Sequence, residues 1–494
     1  VTAYAVGPMA DAVACSGQGT VLTAAPDFAL RPFQLVVSDA GSNISTADRT
    51  LSKLVGLLTE MHGRLIVLSP SVSDAEYARG ERLAPVVMWG EGVAPGLLYS
   101  PSTHRAGLVT NTDFAPTVTA YFGATLPVKS FGGIWEMRPA TNAERTVSKL
   151  EAQAYQQSRA MRLLPYLAIA LGIVVLVGTL LWFRGRPVPA LFLFPAALVF
   201  ALLGSSSIVA FCVWLTVFWA LSLTKRGGAL IGIGAIALLL VVDMCLGDPL
   251  MRSVMLGYSA VEGARYYGIG NEAMGALIGA ALVVAAWAWR PGSRWRNGLV
   301  VCGLAAIALL LGSPLAGAKA GGLLVAVGSF GALLWKLRGG TLNARAVILA
   351  LGAAALALGI VALFDLHGGQ QTHMGRAVSR ILGGGWGEAG DIIRRKLAVE
   401  GRLLYHSAWA VPLWGSVFGL TMWGRRRAGG DARTQALWQA GWVAVALCLA
   451  VNDAGVGAAA LCAALLWSGL MAAQTQNGPH RAEAIFASRD AGRE

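Results

Sequence analysis

Apolar stretches long enough to cross a lipid bilayer recur along the chain from Leu163 onward. A helix needs about 20 residues to span the hydrocarbon core. Only 13% of the residues are charged, against about 25% in an average soluble protein. This shortfall excludes a purely soluble enzyme, a disordered chain and a coiled coil. The sequence predicts eleven membrane spans, at 163–183, 188–203, 206–223, 228–246, 272–289, 298–313, 320–336, 346–364, 404–423, 435–451 and 455–473.

The distribution of Lys and Arg between these spans predicts their orientation. One set of alternate connections carries 14 basic residues, whereas the opposite set, apart from the long segment 365–402, carries 3. Basic residues stay on the cytoplasmic side, so we expect the first set to be cytoplasmic. Residues 1–157 then lie outside and the tail 476–494 lies in the cytoplasm of a bacterial-type inner membrane. We also expect an export segment before Val1, because an outside domain must be translocated.

Two regions of different chemistry share the chain. Residues 1–157 carry 11 basic and 13 acidic side chains, whereas the remainder carries 28 and 13. The first region has the length of one soluble domain, and 158–475 holds the spans. The predicted fold class is therefore a multi-span α-helical membrane protein with an N-terminal extracytoplasmic α/β domain.

Strand and helix patterns support the α/β prediction for the N-terminal region. Residues 34–39, 64–69 and 84–89 have the composition of short buried strands. Between the first two, 51–61 places apolar residues at helical spacing. Strand, helix and strand at this interval predict a βαβ unit and a parallel sheet. The segment GLVTNTDFAPTVTAYFGATLP follows at 107–127, and in it Asp113 is predicted to cap a helix with Pro116 in the first turn.

That segment resembles the alkaline-phosphatase-like superfamily, over about residues 34–125. The matching residues are Thr110, Thr112, Asp113, Ala115, Pro116, Thr117 and Gly123. Catalytic members of the superfamily hold two metal ions with clustered Asp and His and use a Thr, Ser or Cys nucleophile. Residues 1–157 contain only His62 and His104, without an Asp-His pair. We therefore expect the fold without its metal site, acting as a binding or scaffolding module with no metal and no cofactor.

Polar residues concentrate where the fifth predicted span begins. Arg265, Tyr267, Asn271 and Glu272 lie within RYYGIGNE, and ionisable groups at membrane depth tend to be functional. An arginine beside aromatic rings and an amide is suited to a phosphorylated or sugar-bearing ligand. The alternative is an interfacial belt, with Tyr at the headgroups and Asn-Glu as a helix cap.

The long outer segment 365–402 is the second polar concentration. It carries His367, His373 and several arginines, and apolar residues interleave with Arg394 and Arg395. This pattern predicts a basic amphipathic helix at the outer interface, whose natural partner is a lipid-linked phosphate. The alternative is headgroup binding without chemistry.

The membrane region is similar to the O-antigen ligase and polymerase superfamily over roughly 165–475. RYYGIGNE at 265–272 is similar to a segment of the family in which Arg, Gly and Asn follow one another at fixed spacing, although the Asn here comes one position early. GAKAGGLL at 317–324 occupies the place of a small-residue segment, and GGGWGE at 383–388 with His406 fits the large outer loop. The resemblance implies a glycan transferase or polymerase that uses a polyprenyl-diphosphate-linked donor at the outer face.

A metal-independent mechanism follows as a hypothesis, in which arginines hold the diphosphate leaving group and a base activates an acceptor hydroxyl. The residues expected to bind substrate are Arg265, Tyr267, Asn271, Arg376, Arg380, Arg394 and Arg395. The candidate bases are His406, Glu272 and Asp243.

Three other functions remain open from the sequence. A transporter or flippase is favoured by charge inside a span, for which GAKAGG at 317–322 is the best example. A phospho-group transferase of the alkaline-phosphatase-like type joins such a domain to many spans, and a non-catalytic envelope assembly protein is the third. The expected partner is a membrane lipid and not nucleic acid, because cytoplasmic loops account for the positive charge.

Overall fold

The structure is a computed structural model that divides the chain into two compact units, Val1–Ala152 and Gln153–Glu494. It describes residues 3–6, 21–23, 35–38, 43–69, 71–124, 132–204, 207–224, 228–263, 265–341, 352, 359, 386–426, 431–452 and 454–476.

Unit 1 contains short strands in three sheets. β1 (Ala3–Val6) lies between β2 (Val21–Thr23) and β3 (Leu35–Ser38), with parallel pairing on both sides. The remaining strands are β4 (Arg64–Leu68), β5 (Val86–Gly90), β6 (Gly96–Ser100), β7 (Arg105–Ala106) and β8 (Glu136–Pro139). The helices of this unit are α1 (Ile44–Glu60), α2 (Asp74–Arg79) and α3 (Phe114–Tyr121), before α4 (Ala143–Met161).

Strands and a helix occur where the sequence predicts them, but the predicted parallel pairing of 34–39 with 64–69 is not among the described pairings. β4 instead pairs antiparallel with β5, with Leu65 opposite Trp89. Ser73 and Glu76 form a capping box that starts α2 in the connection between these strands. The connection thus returns the chain beside β4, where β5 is its described partner.

The Asp113 side chain differs from its predicted role. Its carboxylate does not cap α3; Oδ2 accepts from the Thr110 backbone N–H at 2.8 Å and closes a preceding 3-10 turn, Asn111–Asp113. Oδ1 accepts from Ser102 Oγ at 2.6 Å and from the Gly133 N–H at 2.9 Å. Asp113 is fully buried, so it holds three chain segments together.

Unit 2 is a multi-pass bundle of apolar helices. Seven helices of the described chain are long and apolar enough to cross a membrane. Among the described residues, the helices of the bundle are α5 (Leu164–Phe183), α6 (Pro189–Gly204), α7 (Ile208–Thr224), α8 (Gly228–Cys245), α9 (Asn271–Ala288), α10 (Arg294–Gly312), α11 (Ala320–Leu337), α12 (Trp386–His406), α13 (Ala410–Arg425), α14 (Ala432–Val451) and α15 (Gly455–Gln476).

Helices occur at ten of the eleven predicted spans, and the eleventh, 346–364, lies outside the described residues. The span predicted at 404–423 is divided. α12 ends at His406 and α13 begins at Ala410, with a turn between them in which Ser407 Oγ accepts from the Trp409 N–H. Hydropathy averaged over the length of a span does not detect this break, because apolar neighbours outnumber His406 and Ser407.

The core of the bundle is built around α15, whose apolar stretch is completely buried. α9 packs closely on it, since a Cβ added to Gly275 would lie 2.0 Å from the Ala458 carbonyl oxygen. Further along α15, the buried Trp467 meets Phe192 edge-on, with ring centroids 5.5 Å apart. Small residues on α9 thus allow two spanning helices to approach at backbone contact.

Candidate functional site

A largely buried segment outside the helices lies between α8 and α9, at residues 246–263 and 265–270, and it is called the buried loop below. Met251, Met255 and Ile269 are fully buried in it. Backbone polar groups in such a segment must be satisfied inside the protein when it lies at membrane depth. Gln157 Nε2 donates to the Val254 carbonyl at 2.8 Å, and the Ile269 N–H donates to the carbonyl of Gly317 at 3.0 Å. The loop is therefore a fixed part of the bundle.

Asp243 lies in the last turn of α8, and its carboxylate binds the backbone of the buried loop. Its Oδ1 accepts from the Leu250 N–H at 2.6 Å and its Oδ2 from the Met251 N–H at 3.3 Å. The side chain is 3% exposed. Both carboxylate oxygens are thus engaged by backbone donors, which supports a loop-organising role for this predicted base.

Asp248 and Arg265 fix the two halves of the buried loop. Asp248 Oδ2 accepts from the Gly268 N–H at 3.0 Å, and Oδ1 is buried with no partner in the described chain. Arg265 Nη1 donates to the carbonyls of Tyr267 and Ile269 at 3.2 and 3.1 Å. Burial lowers the pKa of the Arg265 guanidinium, which the phenol groups of Tyr267 and Tyr258 and the Asp248 carboxylate partly offset.

The pKa of Asp248 is raised to about 6. Burial is the main cause and the Asp243 charge adds to it, while the Gly268 N–H, Arg252 and Arg265 act in the opposite direction. A carboxyl whose folded pKa exceeds its unfolded pKa stabilises the fold at low pH. That contribution is lost as the pH rises through the folded pKa.

We therefore expect Asp248→Asn to raise the midpoint of thermal unfolding in detergent at pH 7.5 and to change it little at pH 4.5. The neutral amide can still accept from Gly268, and Asn tolerates the positive φ of 61° at this position. Thermal unfolding across this pH range measures the effect. A variant less stable than the parent at pH 7.5 would show that the charged carboxylate supports the loop.

A second polar group lies where three spanning helices begin. Lys319 immediately precedes α11, and its Nζ donates to Oδ1 of Asn271, the first residue of α9. Asn271 Nδ2 in turn donates to the Ala454 carbonyl, just before α15, at 3.4 Å. Helix N-termini carry partial positive charge, so three of them and a lysine meet at one place.

Two carboxylates and an amide complete this group. Glu400 from α12 is 8% exposed, and its Oε1 accepts from the Gly455 N–H at the start of α15. A Cβ added to Gly457 would lie 2.6 Å from Glu272 Oε1. Both carboxylates thus reach the positive end of one helix. We call the whole group the polar cluster: Asn271, Glu272, Lys319, Glu400 and Asn452.

Asn452 belongs to the polar cluster because its side chain lies against the first turn of α11. Its Nδ2 donates to the Cys448 carbonyl at 3.1 Å, and a Cβ added to Gly321 would lie 2.7 Å from its Oδ1. Gly321 is in the first turn of α11, directly after Lys319 and Ala320. Gly321 of the GAKAGG segment therefore lets the Asn452 amide come close to the start of α11, as Gly457 does for Glu272 at the start of α15.

The described part of α12 is a basic amphipathic helix. Arg394 and Arg395 are exposed, as are Leu397 at 67% and Val399 at 46%, whereas Glu400 is buried against α15. Exposed apolar and basic side chains on one helix are typical of the membrane interface. The placement of α12 at the outer interface stays a prediction.

The predicted site residues fall in three places. Arg265, Tyr267 and Asp243 lie in or at the end of the buried loop, while Asn271 and Glu272 lie in the polar cluster. Exposed positions on α12 hold Arg394, Arg395 and His406. Outside the described residues lie Arg376 and Arg380.

The sequence did not assign Lys319, Glu400 or Asn452 to the site. The available signal for Lys319 was a basic residue on the outer side, directly before a glycine-rich span start. Glu400 and Asn452 carry no such local signal, because their roles depend on packing between helices.

Comparisons with known proteins identify no relative, so a proposed function must rest on the geometry of the site. No protein-family model, curated protein or solved structure matches the chain. Within the described residues, His, Cys, Asp and Glu side chains form no group of three that could hold a metal ion.

Proposed function

We propose that this integral membrane protein is a cell-envelope transferase that moves a glycan from a polyprenyl-diphosphate-linked donor at the outer face. The polar cluster carries this proposal, because it joins a lysine, two carboxylates and three helix N-termini. Helix N-termini and a lysine attract phosphate, and a neighbouring carboxylate can accept a proton. In this proposal the N-terminal unit is an extracytoplasmic, metal-free scaffold of the alkaline-phosphatase-like type.

The transfer step assigns each group a distinct task. The acceptor hydroxyl oxygen attacks the anomeric carbon, the bond from that carbon to the diphosphate oxygen breaks, and the hydroxyl proton passes to Glu272. Lys319 and the start of α11 stabilise the negative charge that develops on the leaving diphosphate. Arg394 and Arg395 hold the donor headgroup at the interface. Arg265 and Asp243 keep the buried loop in place.

We expect Lys319→Ala to weaken binding of polyprenyl diphosphate about tenfold or more, because one charge-assisted contact is lost. Lys336→Ala is the matched control, since Lys336 lies in the last turn of the same helix, α11, and its binding should equal that of the parent. The measurement is a titration of the full chain in phosphatidylcholine nanodiscs with polyprenyl diphosphate and, separately, with polyprenol. Equal affinity for both lipids would contradict a phosphate site.

Glu272→Gln separates binding from chemistry in the same preparation. We expect it to bind polyprenyl diphosphate like the parent. We also expect it to release polyprenyl diphosphate about a hundredfold more slowly than the parent. The donor in this assay is N-acetylglucosamine linked to polyprenyl diphosphate, and isolated envelope glycans supply the acceptor hydroxyls. Unchanged release would remove Glu272 from the mechanism.

A transporter or flippase is the second candidate, and the buried loop favours it. Irregular backbone buried among spanning helices is a feature of substrate paths in transporters. The full chain in sealed phosphatidylcholine vesicles distinguishes the two functions. A flippase moves a labelled lipid-linked sugar between leaflets with the sugar–diphosphate bond intact, whereas a transferase releases the diphosphate.

A further inference from the structure

Unit 1 contains a cavity of about 320 Å³ that lies outside the proposed transfer site. Its walls come from β4, β5, α3 and the chain before and within β8. This volume is at the small end of the roughly 300–1,000 Å³ typical of ligand pockets. Most of the lining is apolar, including Met88, Val93, Ile134 and Met137.

Arg64 is the charged residue of the lining, and its guanidinium is held in place from two sides. Nε and Nη2 donate to the Glu91 carbonyl at 3.2 and 3.0 Å. The Tyr121 ring lies 4.3 Å from the guanidinium carbon, measured to the ring centroid. Nη1 donates to no group in the described part of the chain. The arginine is therefore preoriented and retains donor capacity.

Thr117 and Trp135 are polar side chains of the lining that face constraints of their own. Trp135 Nε1 is buried and has no acceptor within the described residues. Thr117 Oγ1 is already used, since it donates to the Asp113 carbonyl at 2.7 Å and accepts from the Trp135 backbone N–H at 3.0 Å. A cavity with a preoriented cation and apolar walls is complementary to an anion that carries an apolar group.

We propose that this cavity binds a small organic anion, with a carboxylate or phosphate on Arg64 and an apolar body against Met88, Val93 and Ile134. The anionic oxygen accepts from Arg64 Nη1 as a charge-assisted hydrogen bond. One guanidinium edge is occupied by the Glu91 carbonyl, so the contact is made through the remaining nitrogen. The anion is not the diphosphate lipid of the transfer reaction, whose chain exceeds the cavity.

The test is ligand-observed fluorine NMR on the full chain in phosphatidylcholine nanodiscs. The probes are para-fluorobenzoate, para-fluorophenyl phosphate and the neutral para-fluorobenzamide. We expect about millimolar binding of at least one anion and weaker binding of the amide. The relative affinity of the two anions identifies the carboxylate or the phosphate as the preferred group.

Two variants and one control assign the binding to the cavity. Arg64→Gln should lower anion affinity about tenfold or more. Ile134 lines the cavity and is half-exposed, so the larger side chain of Ile134→Trp should block the cavity. Arg82→Gln is the control, because Arg82 stacks on Tyr77 at 4.6 Å without lining the cavity. Anion binding that survives in Arg64→Gln or Ile134→Trp would overturn the proposal, as would absence of binding to the parent.

Discussion

Asp113→Ala is expected to destabilise unit 1 by at least about 2 kcal/mol, because it removes the carboxylate from three donors and leaves two of them without an acceptor. The three donors are Ser102 Oγ and the backbone N–H groups of Thr110 and Gly133, all within 2.9 Å of the carboxylate. The Gly133 N–H also donates to Ser102 Oγ at 3.1 Å and keeps that acceptor. An unsatisfied buried donor costs about 1–3 kcal/mol. The side chain is fully buried, so water cannot replace the carboxylate without a rearrangement.

Hydrogen exchange with mass spectrometry on the full chain in detergent measures this loss. Peptides that contain Thr110 and Gly133 should lose protection together, because one carboxylate holds both amides. Asp74→Ala is the control: Asp74 is exposed in the first turn of α2, and its loss should change stability by no more than about 0.5 kcal/mol. Retained protection at both peptides in Asp113→Ala would contradict the role assigned to the carboxylate.

The Asp113 contacts also mark a limit of sequence analysis. The segment before α3 has the residues of a helix start, and the helix forms there. The sequence does not reveal that the carboxylate serves a 3-10 turn and also reaches Gly133, 20 residues away. In the same way, the composition of β4 predicts a strand, whereas its antiparallel partner depends on how α2 returns the chain.

Membrane helices were easier to predict than the contacts between them. The predicted span at 228–246 corresponds to α8, Gly228–Cys245, because hydrocarbon selects continuous apolar helices whatever their neighbours. The polar cluster instead depends on contacts across 48 residues, from Asn271 to Lys319, and across 183 residues, from Asn271 to Ala454. Local hydropathy carries no information on such pairs, so the sequence located Asn271 and Glu272 but not their partners.

The contact between α9 and α15 allows a strong test of what keeps the polar cluster together. A Cβ on Gly275 would lie 2.0 Å from the Ala458 carbonyl oxygen and 2.6 Å from its Cα, so even alanine must displace backbone. We expect Gly275→Ala to cost about 1–3 kcal/mol and Gly275→Leu to cost more, to the point of loss of the folded protein on extraction. Thermal unfolding in detergent, followed by size-exclusion chromatography, measures both.

The same helix connects this packing to the proposed site, because α9 begins with Asn271 and Glu272. Moving α9 away from α15 separates Glu272 from the first turn of α15, so Gly275→Ala should also lower transfer in the protein that remains folded. Gly303 on α10 is the matched control, since a Cβ there meets nothing within 4 Å among the described atoms. Gly303→Ala should retain both stability and transfer. Alanine is a better helix former than glycine, so helix propensity favours both variants and a loss must come from packing. Equal losses at the two glycines would contradict a special role for the α9–α15 contact, whereas loss at Gly275 alone makes this close approach a condition for assembling the polar cluster.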